Sequence, residues 1–128
     1  MAEDDRFFPH RAPIEAYGNG GFRFGGMSHQ GSLMILGDGM HAWPATRYAD
    51  VSPADFARIL EAPRRPHTFI LGTGIAAPAP SRPLLEAFDK AGIGLQLMTT
   101  GAAVRTYNIL LGENRDIWAA LIAVDQVR

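Results

Sequence analysis

The sequence contains no cysteine, which removes several classes of protein at once. Disulfide-stapled domains, zinc ribbons, iron–sulfur proteins and enzymes with a thiol nucleophile all need that residue. A large charge of one sign is missing too, because 12 basic and 13 acidic residues give a formal net charge of −1. Without a basic surplus there is no electrostatic footprint for nucleic acid or for an anionic membrane. We therefore expect no nucleic-acid partner.

Long hydrophobic runs are also lacking. The longest, over residues 117–124, is far shorter than the roughly 20 residues that a membrane-spanning helix needs. The amino terminus reads Met-Ala-Glu-Asp-Asp-Arg, whereas a secretory signal starts with basic residues and a transit peptide avoids acidic ones. These features predict a cytoplasmic protein with no membrane insertion.

Glycine and proline are the residues in surplus, at 14 and 9 of 128. They divide the chain into short elements, which is typical of a compact domain with many turns. Residues 1–12 show no hydrophobic period and predict a flexible arm, and residues 13–128 predict one domain. In its first part, the Asn19-Gly20 dipeptide predicts a tight hairpin between strands at 14–17 and 22–24. Further short strands are expected at 32–36 and 41–43.

The pattern changes after residue 52, where strands alternate with helices. A short helix follows Ser52, and apolar runs at 68–71, 93–97 and 117–124 predict strands. The helices between these strands are expected to begin near Ser81 and Thr99. Helical crossovers of this kind join parallel strands. The predicted fold class is therefore α/β: a short mixed sheet with a parallel strand–helix–strand–helix–strand C-terminal half, helices packed on it, and an N-terminal β-hairpin region.

Two loops form the strongest candidate for a ligand site. Gly72-Thr73-Gly74 and Thr99-Thr100-Gly101 follow consecutive parallel strands, so both should lie at the sheet edge where α/β proteins bind ligands. Each loop leads toward a helix N-terminus, whose free amides favour an anion, and Arg105 would add positive charge. The ligand hypothesis is a binder of a small anion, or a weak enzyme, that uses the crevice between the two loops. Its ligand-binding residues would be Gly72, Thr73, Gly74, Thr99, Thr100 and Arg105. The alternative is that the glycines shape turns and the threonines cap helices, with no ligand.

Other motifs are incomplete. The segment Gly26-Met27-Ser28-His29-Gln30-Gly31 misses the Gly-x-Ser-x-Gly pattern of hydrolases by one residue, and it precedes a strand rather than a helix. A hairpin connection is the simpler interpretation. The four histidines share no helical i, i+4 spacing, so neither a metal nor a cofactor is expected. No pair of carboxylates stands out as an acid/base couple, and no catalytic residue is assigned.

Several spaced segments together resemble one small family. They are residues 17–24 (Tyr-Gly-Asn-Gly-Gly-Phe-Arg-Phe), 32–36, Trp43-Pro44, 69–74 with its Gly-Thr-Gly, 98–100, 103–108 and the closing apolar strand. The family is the small single-domain one that includes mitochondrial respiratory complex I assembly factor 3 and the adipogenesis-associated domain protein. The segments cover almost the whole chain in the right order.

The resemblance implies a compact α/β fold with a mixed sheet and gives no ground for assuming an enzymatic activity. It further implies a non-enzymatic protein that binds protein partners and thereby assists the assembly of respiratory complex I, the NADH dehydrogenase. The acidic amino terminus does not resemble the presequence of the mitochondrial member, so we expect a bacterial member of the family. From the residues we expect a contact surface at the hairpin, on Tyr17, Phe22, Arg23 and Phe24, because exposed aromatic residues with arginine are common anchors. Burial of the aromatic rings in the core is the alternative. A homodimer through the same hairpin is a further hypothesis.

Overall fold

The computed structural model of the chain describes residues 6–126, which form nine strands and three helices. The strands are β1 (Arg6–Phe8), β2 (Ala16–Gly18), β3 (Gly21–Phe24), β4 (Met27–Gln30), β5 (Ser32–Leu36), β6 (Gly39–Trp43), β7 (Thr68–Gly72), β8 (Gly94–Met98) and β9 (Ile117–Leu121). The helices are α1 (Ala57–Leu60), α2 (Arg82–Lys90) and α3 (Thr100–Gly112), and short 3₁₀ turns cover Tyr48–Asp50 and Pro53–Phe56.

Two sheets organise these elements. The larger has the order β1-β6-β5-β9-β7-β8, and the smaller has the order β2-β3-β4. Strand β7 runs parallel to both β8 and β9, whereas β9 meets β5 antiparallel, so the large sheet is mixed. The predicted class, an α/β fold with a parallel C-terminal half and an antiparallel N-terminal region, is confirmed.

The two long helices lie on opposite faces of the large sheet, for a geometric reason. Helix α2 carries the chain from β7 outward to β8, and α3 carries it back across β7 to β9. Right-handed crossovers in opposite directions must use opposite faces. The side chains of α3 accordingly belong to one hydrophobic core and those of α2 to another.

Successive side chains along the buried strands belong alternately to the two hydrophobic cores. In β7, Ile70 belongs to the core beneath α3, while Phe69 and Leu71 belong to the core beneath α2. Strand β9 is buried at every position, which explains why its sequence is a continuous apolar run rather than an alternating one. The small sheet covers the rest of the α3 face, and the Pro53–Phe56 turn with α1 covers the rest of the α2 face.

Two N-terminal segments differ from the sequence prediction. Residues 27–30, interpreted as a connection, form strand β4, because Gly25 and Gly26 adopt φ angles of +57° and +77° and turn the chain back on β3. Within the predicted flexible arm, Arg6–Phe8 is a strand that pairs with β6, and Ala12 is buried in the core. Residues 1–5 lie outside the described residues.

A glycine allows this first strand to approach. Gly39 adopts a φ of +138°, and a Cβ at that position would collide with the carbonyl oxygen of Phe8. The ring of Phe8 in turn packs edge-on against that of Phe24, with ring centres 5.6 Å apart. The start of the chain is therefore held by backbone pairing at one strand and by an aromatic contact to the small sheet.

Helix α3 also holds the chain that leads into β2. The side chain of Asn108 accepts a hydrogen bond from the Ile14 amide at 2.8 Å and donates one to the Ile14 carbonyl at 2.9 Å. Two residues before Ile14, the carbonyl of Ala12 accepts a hydrogen bond from the hydroxyl of Tyr107 at 2.9 Å. Burial raises the pKa of the Tyr107 hydroxyl well above its ordinary value, with a nearby Arg11 acting weakly in the opposite sense.

The substitution Asn108→Ala should lower the free energy of unfolding by about 1–3 kcal/mol, because it leaves both polar groups of the Ile14 backbone without a partner. Urea unfolding followed by circular dichroism measures this change, and hydrogen exchange at the Ile14 amide should accelerate. Thr106→Ala on the same helix is the matched control, with an expected effect within about 0.5 kcal/mol. An equal loss in both variants would contradict the prediction.

Candidate functional site

The two loops predicted to bind a ligand do lie side by side. They follow β7 and β8, whose ends Gly72 and Met98 are paired in register. The Thr73 amide donates to the Met98 carbonyl at 2.8 Å, and the Thr100 amide donates to the Gly74 carbonyl at 2.9 Å. The loop residues among the predicted ligand set therefore meet at the carboxyl edge of the parallel strands, at the point where the two crossovers leave for opposite faces.

The Thr100 hydroxyl fills the space between the loops. The residue is fully buried. Its Oγ1 accepts a hydrogen bond from the Gly74 amide at 2.9 Å and donates one to the Ile122 carbonyl at 2.7 Å. The hydroxyl thereby connects the ends of β7 and β9 with the first turn of α3, and the Gly74 amide is no longer available to a ligand.

The neighbouring threonines also bond within the protein. The hydroxyl of Thr73 donates to the Met98 carbonyl at 3.1 Å, and the Thr99 hydroxyl accepts from the Ala102 amide at 3.3 Å as the cap of α3. Gly72 lets the helix lie directly on the strand, since a Cβ there would be 3.0 Å from Thr100 Cα. These contacts account for the Gly-Thr-Gly and Thr-Thr segments through turn shape and capping.

Arg105 lies apart from these contacts. It is exposed on the surface of α3, four residues before Ile109, whose side chain is 61% exposed. Within residues 6–126 its guanidinium makes no hydrogen bond or ion pair. The anion site that combines Arg105 with the two loops stays a prediction.

The four hairpin residues predicted to contact a partner divide between core and surface. Phe22 and Phe24 are buried in the core beneath the small sheet, at 3% and 0% exposure, so they cannot serve as surface anchors. Side chains alternate along a strand, and Arg23 between them therefore points outward. Tyr17 is half-buried. Only Tyr17 and Arg23 of the predicted set reach the surface.

A shallow depression of about 220 Å³ lies around these two residues. Ala16, Arg23 and Ser28 form a row across the three strands, and the Arg23 guanidinium lies 3.4 Å from the Ser28 hydroxyl. The polar part of the lining is completed by Tyr17, Asn19, His29 and Gln30. The small residues of this sheet leave a surface on which the arginine is the dominant side chain.

A second cleft, which sequence reasoning did not find, lies at the opposite edge of the large sheet. It has a volume of about 440 Å³ and is bounded by the turn between β5 and β6, by the end of α1 with the following residues, and by β9. The lining residues are Leu36, Gly37, Asp38, Arg58, Ala62, Pro63, Arg64 and Trp118. They come from three segments far apart in the sequence, and none of those segments contains a recognisable motif.

A buried histidine connects two walls of this second cleft. His41 is fully buried, with Nε2 2.7 Å from the Asp38 carboxylate and Nδ1 3.3 Å from the Arg58 guanidinium. The two contacts place the imidazole between the carboxylate of Asp38 and the guanidinium of Arg58. His41 therefore helps to hold Arg58 at the wall of the cleft.

No three histidine, aspartate or glutamate side chains in the part of the chain that the structure describes are grouped so as to hold a metal ion. None of its helices has the length and apolar character needed to cross a bilayer.

Solved structures with substantial sequence identity share this fold. A protein of Rhodopseudomonas palustris is 43% identical, with a TM-score of 0.80 over 97% of this chain and 93% of its own. A protein of Bartonella henselae, which is called an outer membrane protein, is 41% identical, with a TM-score of 0.86 over 92% of this chain and 99% of its own.

The curated relatives include a named assembly factor. NADH dehydrogenase [ubiquinone] 1 alpha subcomplex assembly factor 3 of Rattus norvegicus is 27% identical over 90% of this chain. The chain spans 62% of that protein's length. The model of the family described as "Protein of unknown function (DUF498/DUF598)" matches residues 14–122. Since this match takes in both sheets from β2 onward and all three helices, the chain belongs to the DUF498/DUF598 family of proteins of unknown function.

Proposed function

We propose that the chain is a non-enzymatic assembly protein that binds protein partners during the building of a respiratory NADH dehydrogenase. The observation that carries the proposal is its similarity, over 90% of its length, to a protein named as an assembly factor for that enzyme. We further propose that it works in the cytoplasm.

The contacts between the two loops favour a protein that binds protein partners over one that binds a small molecule at these loops. At the sheet edge where α/β proteins usually hold a ligand, the Thr100 hydroxyl and the Gly74 amide already bond to one another. The hydroxyl of Thr73 is likewise engaged by the Met98 carbonyl. A ligand there would have to displace hydrogen bonds that the fold itself uses.

The outward face of the small sheet is the surface that we propose for the partner. Arg23 lies there at the depression of about 220 Å³, whereas the half-buried Tyr17 pairs with Phe22 and packs against the core beneath the sheet. Arginine is enriched among the residues that dominate protein–protein binding energies. Contact between two copies of the chain through this face is part of the same hypothesis.

The substitution Arg23→Glu should abolish capture of partners by the tagged chain, because it reverses the charge at the centre of this surface. The tagged protein is mixed with gently solubilised membranes and cytosol of its native host, and bound proteins are identified by mass spectrometry. The wild-type chain should enrich subunits or assembly proteins of the NADH dehydrogenase, and the variant should lose them.

Arg105→Glu is the matched control, since Arg105 is equally exposed but lies on α3. It should retain the captured proteins. Loss of capture with Arg105→Glu and retention with Arg23→Glu would indicate that partners bind at the predicted anion site near α3 and not at the small sheet. Recovery of no respiratory subunit or assembly protein by the wild-type chain would contradict the proposed function.

A further inference from the structure

The cleft between the β5–β6 turn, the end of α1 and β9 has the character of a small-molecule site. We propose that it binds a small carboxylate that carries an apolar ring. The site is independent of the partner surface proposed above, because it lies on the other sheet and at the amino edge of the parallel strands.

The floor of the cleft is apolar and preformed. Trp118 is only 6% exposed and is held by the core beneath α2, together with Leu36. Pro63 and Ala62 form the facing wall. The volume of about 440 Å³ falls within the range of ordinary ligand pockets, roughly 300–1,000 Å³. A flat apolar ring would lie against the exposed edge of the indole and against Pro63 and Ala62, and it would displace water from these groups.

The polar part of the lining favours an anion. Two arginines, Arg58 and Arg64, line the cleft together with the carboxylate of Asp38. The planar guanidinium group matches a carboxylate with two parallel hydrogen bonds. One oxygen of Asp38 is already engaged by the buried His41, at 2.7 Å, which reduces its repulsion of an incoming anion.

Arg64 is the arginine that can exchange its present partner. It pairs with Asp116 at 3.1 Å, but the two side chains are 65% and 41% exposed. Ion pairs between exposed side chains contribute little to stability. A ligand carboxylate can therefore replace Asp116 without disturbing the fold, whereas Arg58 is kept in position by its hydrogen bond to His41.

The indole of Trp118 adds a second polar feature. Its Nε1–H is buried and has no hydrogen-bond acceptor in the described part of the chain. Gly37 lies directly against it, since a Cβ there would be 2.8 Å from Cζ2 and 3.3 Å from Nε1. Buried donors in native proteins nearly always have a partner. Because Gly37 covers this donor, a ligand acceptor would reach it only with a movement of the β5–β6 turn.

Titration of the ¹⁵N-labelled protein with phenylacetate tests the proposal. Two tryptophans, Trp43 and Trp118, give two indole N–H signals, and only Trp118 lines the cleft. Phenylacetate should shift the Trp118 signal saturably and leave that of Trp43 nearly unchanged. Phenylacetamide, which has the ring without the charge, and inorganic phosphate, which has charge without the ring, should each bind at least roughly tenfold more weakly.

Variants separate this site from nonspecific binding. Arg64→Gln should weaken phenylacetate binding roughly tenfold, and Arg47→Gln, at an exposed arginine outside the cleft, should leave it unchanged. Both positions are exposed, so neither change threatens folding, and an unchanged spectrum of the free variant verifies this. Absence of a saturable Trp118 shift, equal binding of phenylacetamide, or equal weakening by both variants would overturn the proposal. None of these results bears on the capture of protein partners.

Discussion

The substitution Phe56→Ala should destabilise the protein by about 3–5 kcal/mol, one of the two largest effects that we expect from a single change. Phe56 is fully buried, although it comes from a 3₁₀ turn rather than from a long element. Its ring centre lies 5.6 Å from that of Trp43, 5.7 Å from Phe69 and 5.5 Å from Phe88. Removal of the ring leaves a cavity between β6, β7 and α2 that cannot close without moving all three.

Urea unfolding measured by circular dichroism provides the comparison. Phe56→Leu should cost far less, about 1–1.5 kcal/mol, because leucine fills most of the volume and loses chiefly the ring contacts. Ile109→Ala is the exposed control, with an expected change within about 0.5 kcal/mol. If Phe56→Ala and Ile109→Ala proved equally mild, the aromatic cluster would not be the centre of this core.

Thr100→Val should lower the free energy of unfolding by about 2–4 kcal/mol, even though valine has nearly the same shape as threonine. The change removes the acceptor for the Gly74 amide and the donor to the Ile122 carbonyl. Each buried polar group left without a partner costs about 1–3 kcal/mol. The loss therefore comes from desolvated backbone groups and not from a cavity.

Thr100→Ser provides the control for this second prediction, since it keeps the hydroxyl and removes only a methyl group. It should cost about 1 kcal/mol. Hydrogen exchange at the Gly74 amide should accelerate in the valine variant and change little in the serine variant. A smaller loss with valine than with serine would mean that the methyl group, and not the hydroxyl, is what this position requires.

The C-terminal half of the fold could be predicted from the sequence because local signals there agree with one another. Ser81 and Thr99 are the N-cap residues of α2 and α3 in the structure. Their positions just before segments with a helical pattern of apolar residues predict this role. The continuous apolar run over β9 correctly indicates a strand buried on both faces. In each case the local residue pattern and the tertiary environment favour the same helix or strand.

The N-terminal half was less predictable, because long-range contacts decide it. Nothing local indicates that Arg6–Phe8 is a strand, since its partner β6 follows more than 30 residues later and accepts it through the conformation of Gly39. The alternation of Phe22, Arg23 and Phe24 predicts a strand but does not say which face is buried. The burial of both phenylalanines depends on α3, which lies far along the chain.

The candidate sites also differ in how much of each could be predicted from the sequence. The predicted strand order was enough to place the Gly72–Gly74 and Thr99–Gly101 loops side by side, and in the structure they are joined by a hydrogen bond. The engagement of the Gly74 amide by Thr100 could not be foreseen, because it depends on a rotamer. The cleft beside Trp118 draws on three distant segments, and its charge pattern exists only once those segments are folded together.

The order of strands in the large sheet has a consequence for biosynthesis. Strand β9 is the last of the described strands to leave the ribosome, yet it lies between β5 and β7 in the middle of the sheet. Until it emerges, the β1-β6-β5 portion and the β7-β8 pair have no strand to join them, and each presents an unpaired apolar edge. Such edges favour association with other chains. The nascent protein therefore depends on the emergence of β9, which inserts between β5 and β7 and joins the two portions of the sheet.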